Sequence, residues 1–152
     1  MEITIYDELK IVYPDVFHIM SEDDMNKLNF FGGKPEFALK DEEDHTVITI
    51  GHKRINMLLS VLLSSKDIAK RSEKVISKAS KEWDYRLIRF ESKILGGRKA
   101  EGFFYEYKVD DVYMSAVLYV MKMKKSVYYY NFCGRKELKD INELLLSKVM
   151  FK

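Results

Sequence analysis

The stretch from residue 86 to residue 135 constrains this chain most. Three short turns, Gly96-Gly97, Asp110-Asp111 and Lys124-Lys125-Ser126, divide it into four long runs rich in aromatic and β-branched residues. Turns this short allow only antiparallel neighbours. In the run Val112–Met123, Val112, Met114, Ala116, Leu118 and Val120 share one face, while Tyr113, Val117, Tyr119 and Met121 share the other. A strand that is apolar on both faces is central and covered twice. The meander therefore needs padding on two sides.

The rest of the chain supplies candidates for that padding. Leu9, Ile11 and Tyr13 alternate as a strand and stop at Pro14, with Val16, Phe17 and Ile19 as an extended continuation. Ser21, followed by Glu22-Asp23-Asp24, opens a short helix that Asn29 and Gly32-Gly33 close. Phe37 and Leu39 pair with Thr46–Ile50 across an acidic turn, Asp41–Asp44. Residues 53–83 read as helical, with Ile55, Leu58, Leu59, Leu62 and Leu63 on one apolar face. Ser64 and Asp67 have capping-box spacing, so a second start falls there, and Ile68, Val75, Ile76, Ala79 and Trp83 follow along one side. The region is one kinked helix or two. Gly134 ends the last strand, and Leu138, Ile141, Leu144, Leu145 and Val149 predict a terminal amphipathic helix. The predicted class is α+β: an antiparallel sheet flanked by helices on both faces, an α/β/α sandwich formed by residues 1–152 as a single domain.

Composition narrows the setting. With 152 residues, 47% of them hydrophobic, the chain can build a core without disulfides, and its single Cys133 excludes an internal disulfide framework. No apolar run approaches the roughly 18 residues that span a bilayer. The start, MEITIYDELK, carries acids where a secretory signal is basic. The expectation is a cytoplasmic protein with no membrane partner. Net charge is only +2, yet residues 1–50 hold 12 acidic and 4 basic side chains and residues 51–152 hold 12 and 22. A two-signed surface follows if these segments stay apart in the fold.

The segment Leu9-Lys10-Ile11-Val12-Tyr13-Pro14-Asp15-Val16-Phe17, the strand Gly102-Phe103-Phe104-Tyr105-Glu106-Tyr107, the long Tyr/Met strand and a Tyr-rich strand before the final helix together resemble the PsbP-like fold superfamily, which includes bacterial DcrB-type proteins. The likeness spans nearly the whole chain as an order of elements. It implies an α/β sandwich and a mostly non-catalytic binding role.

The residues point the same way. His45 and His52 are seven apart, which on one strand sends them to opposite faces, and zinc-ligand spacings are absent. Cys133 has no adjacent base, the run Asp41–Asp44 lacks the spacing of a calcium loop, and Gly96–Gly102 lacks the ending of a phosphate loop. The reading is no enzyme, no metal and no cofactor. Two surfaces remain. Tyr105, Tyr107, Tyr119, Tyr128 and Tyr130 lie on adjacent predicted strands, where a tyrosine-lined concave face would receive a protein or peptide segment. Lys66, Lys70, Lys74 and Lys78 recur every four residues as an electrostatic stripe. The expected function is a small protein-binding adaptor or chaperone-like domain. The alternative is a nucleic-acid or acidic-ligand binder using the lysine stripe.

Overall fold

The computed structural model describes residues 1–28, 35–135 and 139–151, the last segment with side chains from Asn142 onward. The strands are β1 (Glu2–Ile5), β2 (Leu9–Val12), β3 (His18–Ile19), β4 (Phe37–Asp41), β5 (Thr46–Arg54), β6 (Arg86–Leu95), β7 (Arg98–Val109), β8 (Val112–Lys122), β9 (Ser126–Arg135) and β10 (Val149–Phe151). The helices are α1 (Glu22–Lys27), α2 (Met57–Leu62), α3 (Ser65–Ala79) and α4 (Lys139–Leu146), with one 3₁₀ turn at Lys81–Trp83. The meander forms as expected. It continues through β5 into the β4–β5 hairpin, giving a seven-stranded antiparallel sheet of order β3-β4-β5-β9-β8-β7-β6. A second, three-stranded sheet has the order β1-β2-β10.

Strand β8 is buried on both faces, as its composition requires. Ala116, Leu118 and Val120 join one cluster with Phe103, Tyr105, Ile68, Ala69 and Ile76 of α3. Val117, Tyr119 and Met121 join another with Leu9, Ile11, Phe17, Leu39, Ile48 and Ile50. One face thus has a helix above it. The opposite cluster is shared with the small sheet, together with Leu145 and Leu146 of α4. The expected pair of helical layers is therefore a helix on one side and a small sheet plus the last turn of a helix on the other. Val149 lies in β10 and pairs with Ile11 instead of continuing the helix.

The local signals explain most boundaries. Ser21 caps α1 by accepting the Asp24 amide at 3.1 Å. Ser64 accepts the Asp67 amide at 3.1 Å while Asp67 Oδ2 accepts the Ser64 amide at 3.2 Å, a reciprocal box that starts α3 and separates it from α2. The helical region expected over 53–83 is narrower than that: Lys53 and Arg54 belong to β5, α2 begins at Met57 and α3 ends at Ala79. Asp110 and Asp111 both have positive φ, 48° and 66°, as a two-residue hairpin turn of the primed type requires. Gly102 has no room for a side chain: an added Cβ would stand 2.2 Å from the Leu118 carbonyl oxygen and 2.6 Å from the Tyr119 ring. The closing residues expected for α1, Asn29 and Gly32-Gly33, lie outside the described residues, as do Leu138 and the side chain of Ile141.

Candidate functional site

Helix α3 sits over β7 and β8. Its buried side chains, Ile68, Ala69, Ser72 and Ile76, point down onto those two strands. The neighbouring strand β9 is left partly open on the same face. A groove of ≈ 280 Å³ runs between the flank of α3 and β9, with Ile55, Leu63, Val127 and Tyr129 as its apolar walls. Val75 of α3 overhangs it and is 53% exposed. Lys53, Arg54 and Arg71 form its basic rim, and none of the described residues lining it is acidic. The Lys53 ammonium stands 6.0 Å from the centre of the Tyr129 ring, at the outer limit of a cation–π contact. Partial burial pushes the Tyr129 phenol above its ordinary pKa.

The five tyrosines first considered as a binding face fall into two layers. Tyr105 and Tyr107 lie on the α3 side. Tyr119, Tyr128 and Tyr130 lie on the opposite side, against the small sheet. Tyr107 is half-buried and the other four are buried. The shared concave face is thus replaced by two packed layers. The cause is register: Tyr105 sits opposite Ala116, while Tyr119 sits opposite Tyr130. The hydroxyls of the four buried rings are satisfied internally, which is what makes their burial affordable. Tyr105 donates to Asn131 Oδ1 at 3.0 Å, Tyr128 to Glu8 Oε2 at 2.6 Å, Tyr130 to Asn142 Oδ1 at 3.2 Å, and Tyr119 to Glu91. Burial pushes the phenols of Tyr105, Tyr119, Tyr128 and Tyr130 well above the ordinary tyrosine value. For Tyr107 the main cause is the nearby Cys133, followed by burial.

The lysines behave differently. Lys66, Lys70, Lys74 and Lys78 are all exposed along the outer side of α3. The acids near them have other partners: Asp67 is held in the capping box and Glu73 accepts the Tyr85 hydroxyl at 2.9 Å. Cys133 is half-buried beside Tyr105 and Asn131, with the Asn131 amide nitrogen 3.3 Å from its sulfur. Burial pushes its thiol up, the reverse of what a nucleophile needs. His52 is sandwiched between Tyr6 and Tyr128, with ring centres 4.5 and 4.9 Å away, and burial lowers its pKa. His45 lies in the turn before β5 and His18 in β3, both exposed. Among the described residues, no group of three His, Cys, Asp or Glu side chains could hold a metal ion.

No protein-family model and no curated protein matches the chain. Solved structures do. The solution structure of cyanobacterial PsbP (CyanoP) from Synechocystis matches with a TM-score of 0.70 at 15% identity, over 100% of this chain and 92% of that one. The crystal structure of LpqN, involved in cell envelope biogenesis of Mycobacterium tuberculosis, matches with a TM-score of 0.63 at 9% identity, over 95% of this chain and 83% of that one. The chain has the PsbP-like fold. A Bacteroides thetaiotaomicron protein shares it at a TM-score of 0.56 and 13% identity, over 95% of this chain and 45% of that one. Identities this low concern the backbone path, so the groove of this PsbP-like chain stands on its own residues. Sequence reasoning missed Lys53, Arg71 and Tyr129 as neighbours. Their meeting depends on α3 lying over β8 and not over β9, and no local pattern encodes that choice.

Proposed function

We propose that this PsbP-like chain is a non-catalytic binding domain, acting inside the cell, that holds a protein segment in the groove between α3 and β9. The segment carries apolar side chains flanked by acids. The observation behind this reading is the pairing of an open apolar floor, Ile55, Leu63, Val127 and Tyr129, with a rim of Lys53, Arg54 and Arg71 that has no lining carboxylate to neutralise it. Apolar walls supply the affinity, and the rim charges select the partner and speed encounter. The groove is suited to one or two anchoring side chains, so affinity in the micromolar range is expected.

Selection of displayed peptides followed by NMR titration tests this. Acidic–apolar peptides are expected to be enriched and to shift the amides of Leu63, Ile68, Val75 and Tyr129. Val75→Glu, at an exposed position, is expected to abolish binding without loss of fold. Enrichment of no peptide, or shifts confined to another surface, overturns the reading.

A second reading rests on the unobstructed row Lys66, Lys70, Lys74 and Lys78. It makes the outer side of α3 a site for nucleic acid or another acidic ligand. Binding should then fall steeply with salt, and a flat salt response removes it.

A further inference from the structure

Helix α2 is built inside out. Met57, Leu58, Leu59, Val61 and Leu62 are all exposed, Leu58 at 70% and Val61 at 82%, and no residue of the helix is buried. At about 100° per residue these five side chains sweep an arc of about 200°. Ser60, the helix's polar residue, occupies the remaining side. Polar bonds at its ends hold the helix in place. Asn56 Oδ1 accepts the Leu59 amide at 2.7 Å. The Lys122 ammonium donates to the Ser60 and Leu63 carbonyls at 2.5 and 2.9 Å. The result is a convex apolar ridge on polar footings.

Cations surround this ridge. Lys53 and Arg54, at the end of β5, precede it by two residues, and both are exposed. The Ile55 amide donates to the Lys125 carbonyl at 2.9 Å, which sets the exposed Lys124-Lys125 turn beside the start of the helix. At the other end, Lys66 and Lys99 lie around a shallow hollow with Ser64, Ser65 and Lys122. Glu101, the acid in that hollow, is 3.4 Å from Lys99.

We propose that α2 is an interfacial membrane-docking element, whose ridge enters the headgroup–acyl boundary of a bilayer while Lys53, Arg54, Lys124 and Lys125 meet anionic headgroups. An anionic bilayer offers the matching layers, negative charge outside and an apolar phase just beneath. Lipid deforms around a convex shape, whereas a folded protein surface needs a matching trough. A second copy of the chain fits less well, because a two-fold contact through α2 brings the two cationic collars together. The expectation of no membrane partner rested on the lack of a spanning segment, and no helix among the described residues is long and apolar enough to cross a membrane. Lying in the interface requires none. This site shares Lys53 and Arg54 with the rim of the groove, but its ridge and the Lys124-Lys125 turn lie outside the groove lining, and Val75 and Tyr129 take no part in it.

The test uses the full chain with vesicles of phosphatidylcholine and phosphatidylserine, against phosphatidylcholine alone. Binding to the mixed vesicles is expected, weakening as salt rises. Leu58→Asp with Val61→Asp is expected to weaken it about a hundredfold. Lys124→Ala with Lys125→Ala is expected to weaken it about thirtyfold. Circular dichroism checks that both variants fold. In a separate Leu62→Trp variant, the emission maximum is expected to shift to the blue on mixed vesicles, against the same variant without vesicles. No binding to mixed vesicles at low salt, or binding indifferent to the two aspartates, overturns the proposal. So does a dimer in light scattering that the aspartates dissolve, which would make α2 a self-association face. A groove-binding peptide that needs Leu58 would also overturn it by assigning α2 to the peptide site, whereas loss of peptide binding in Val75→Glu leaves it untouched.

Discussion

Helices α2 and α3 are separated by Leu63 and Ser64, and they treat apolar side chains in opposite ways. In α3, Ile68 and Ile76 are buried over β7 and β8 and the lysines face water. In α2 the leucines face water, and a lysine from β8 holds the backbone from inside. Both helices have apolar residues at helical spacing, so periodicity alone assigns both to the core. The difference lies in what stands opposite. Beneath α3 are two long strands with large inward side chains. Helix α2 begins shortly after Arg54 and Ser126 close the β5–β9 ladder, and none of its residues is buried against the rest of the described chain. An amphipathic pattern specifies a face, and the fold decides whether that face meets a partner within the chain.

The largest effect that tests this contrast is an aspartate under α3. Ile76→Asp buries an unpaired charge and should cost more than about 4 kcal/mol, enough to unfold the domain in thermal melts. Leu58→Asp in α2 should cost less than about 0.5 kcal/mol, because the side chain already meets water. Equal costs would erase the distinction between the helices.

Alkali attacks the buried side of the contrast. Tyr105, Tyr119, Tyr128 and Tyr130 have phenols raised above the unfolded value of about 10. Their contribution to stability is complete below that pH and is lost as pH rises above it, because only the unfolded state releases the protons. Denaturant midpoints should therefore fall steadily above about pH 10, with matching loss of the near-ultraviolet tyrosine signal. Ser64→Ala removes the cap that begins α3 and should cost about 1 kcal/mol by chemical denaturation. Lys122→Met should change global stability by less than about 1 kcal/mol, yet raise amide exchange in α2 while leaving α3 protected.

Much of the fold is visible in the residues themselves. Tight turns and alternation define β6 to β9, and the Ser-x-x-Asp pattern at Ser21 and Ser64 locates two helix starts. The small sheet was not. Strand β10 has three residues, and Val149 sits four positions after Leu145, so helical periodicity absorbed it. Its role appears only when Val149 pairs with Ile11. The tyrosine layers were hidden for a related reason. Alternation tells which residues of one strand share a face, but the relation between Tyr105 and Tyr119 depends on inter-strand register. The lysine stripe was legible because it needs only one helix. The groove beside it was not, because it needs the lateral position of that helix on the sheet.

The small sheet has a consequence for synthesis. Its middle strand, β2, has a neighbour made just before it and another made more than a hundred residues later, with Leu9 paired to Phe151. During synthesis, the hairpin Glu2–Val12 must wait with one edge unmatched until every strand of the large sheet has been made. The Leu9–Val12 edge thus stays unpaired through most of synthesis, and the small sheet is complete only when Val149–Phe151 joins it.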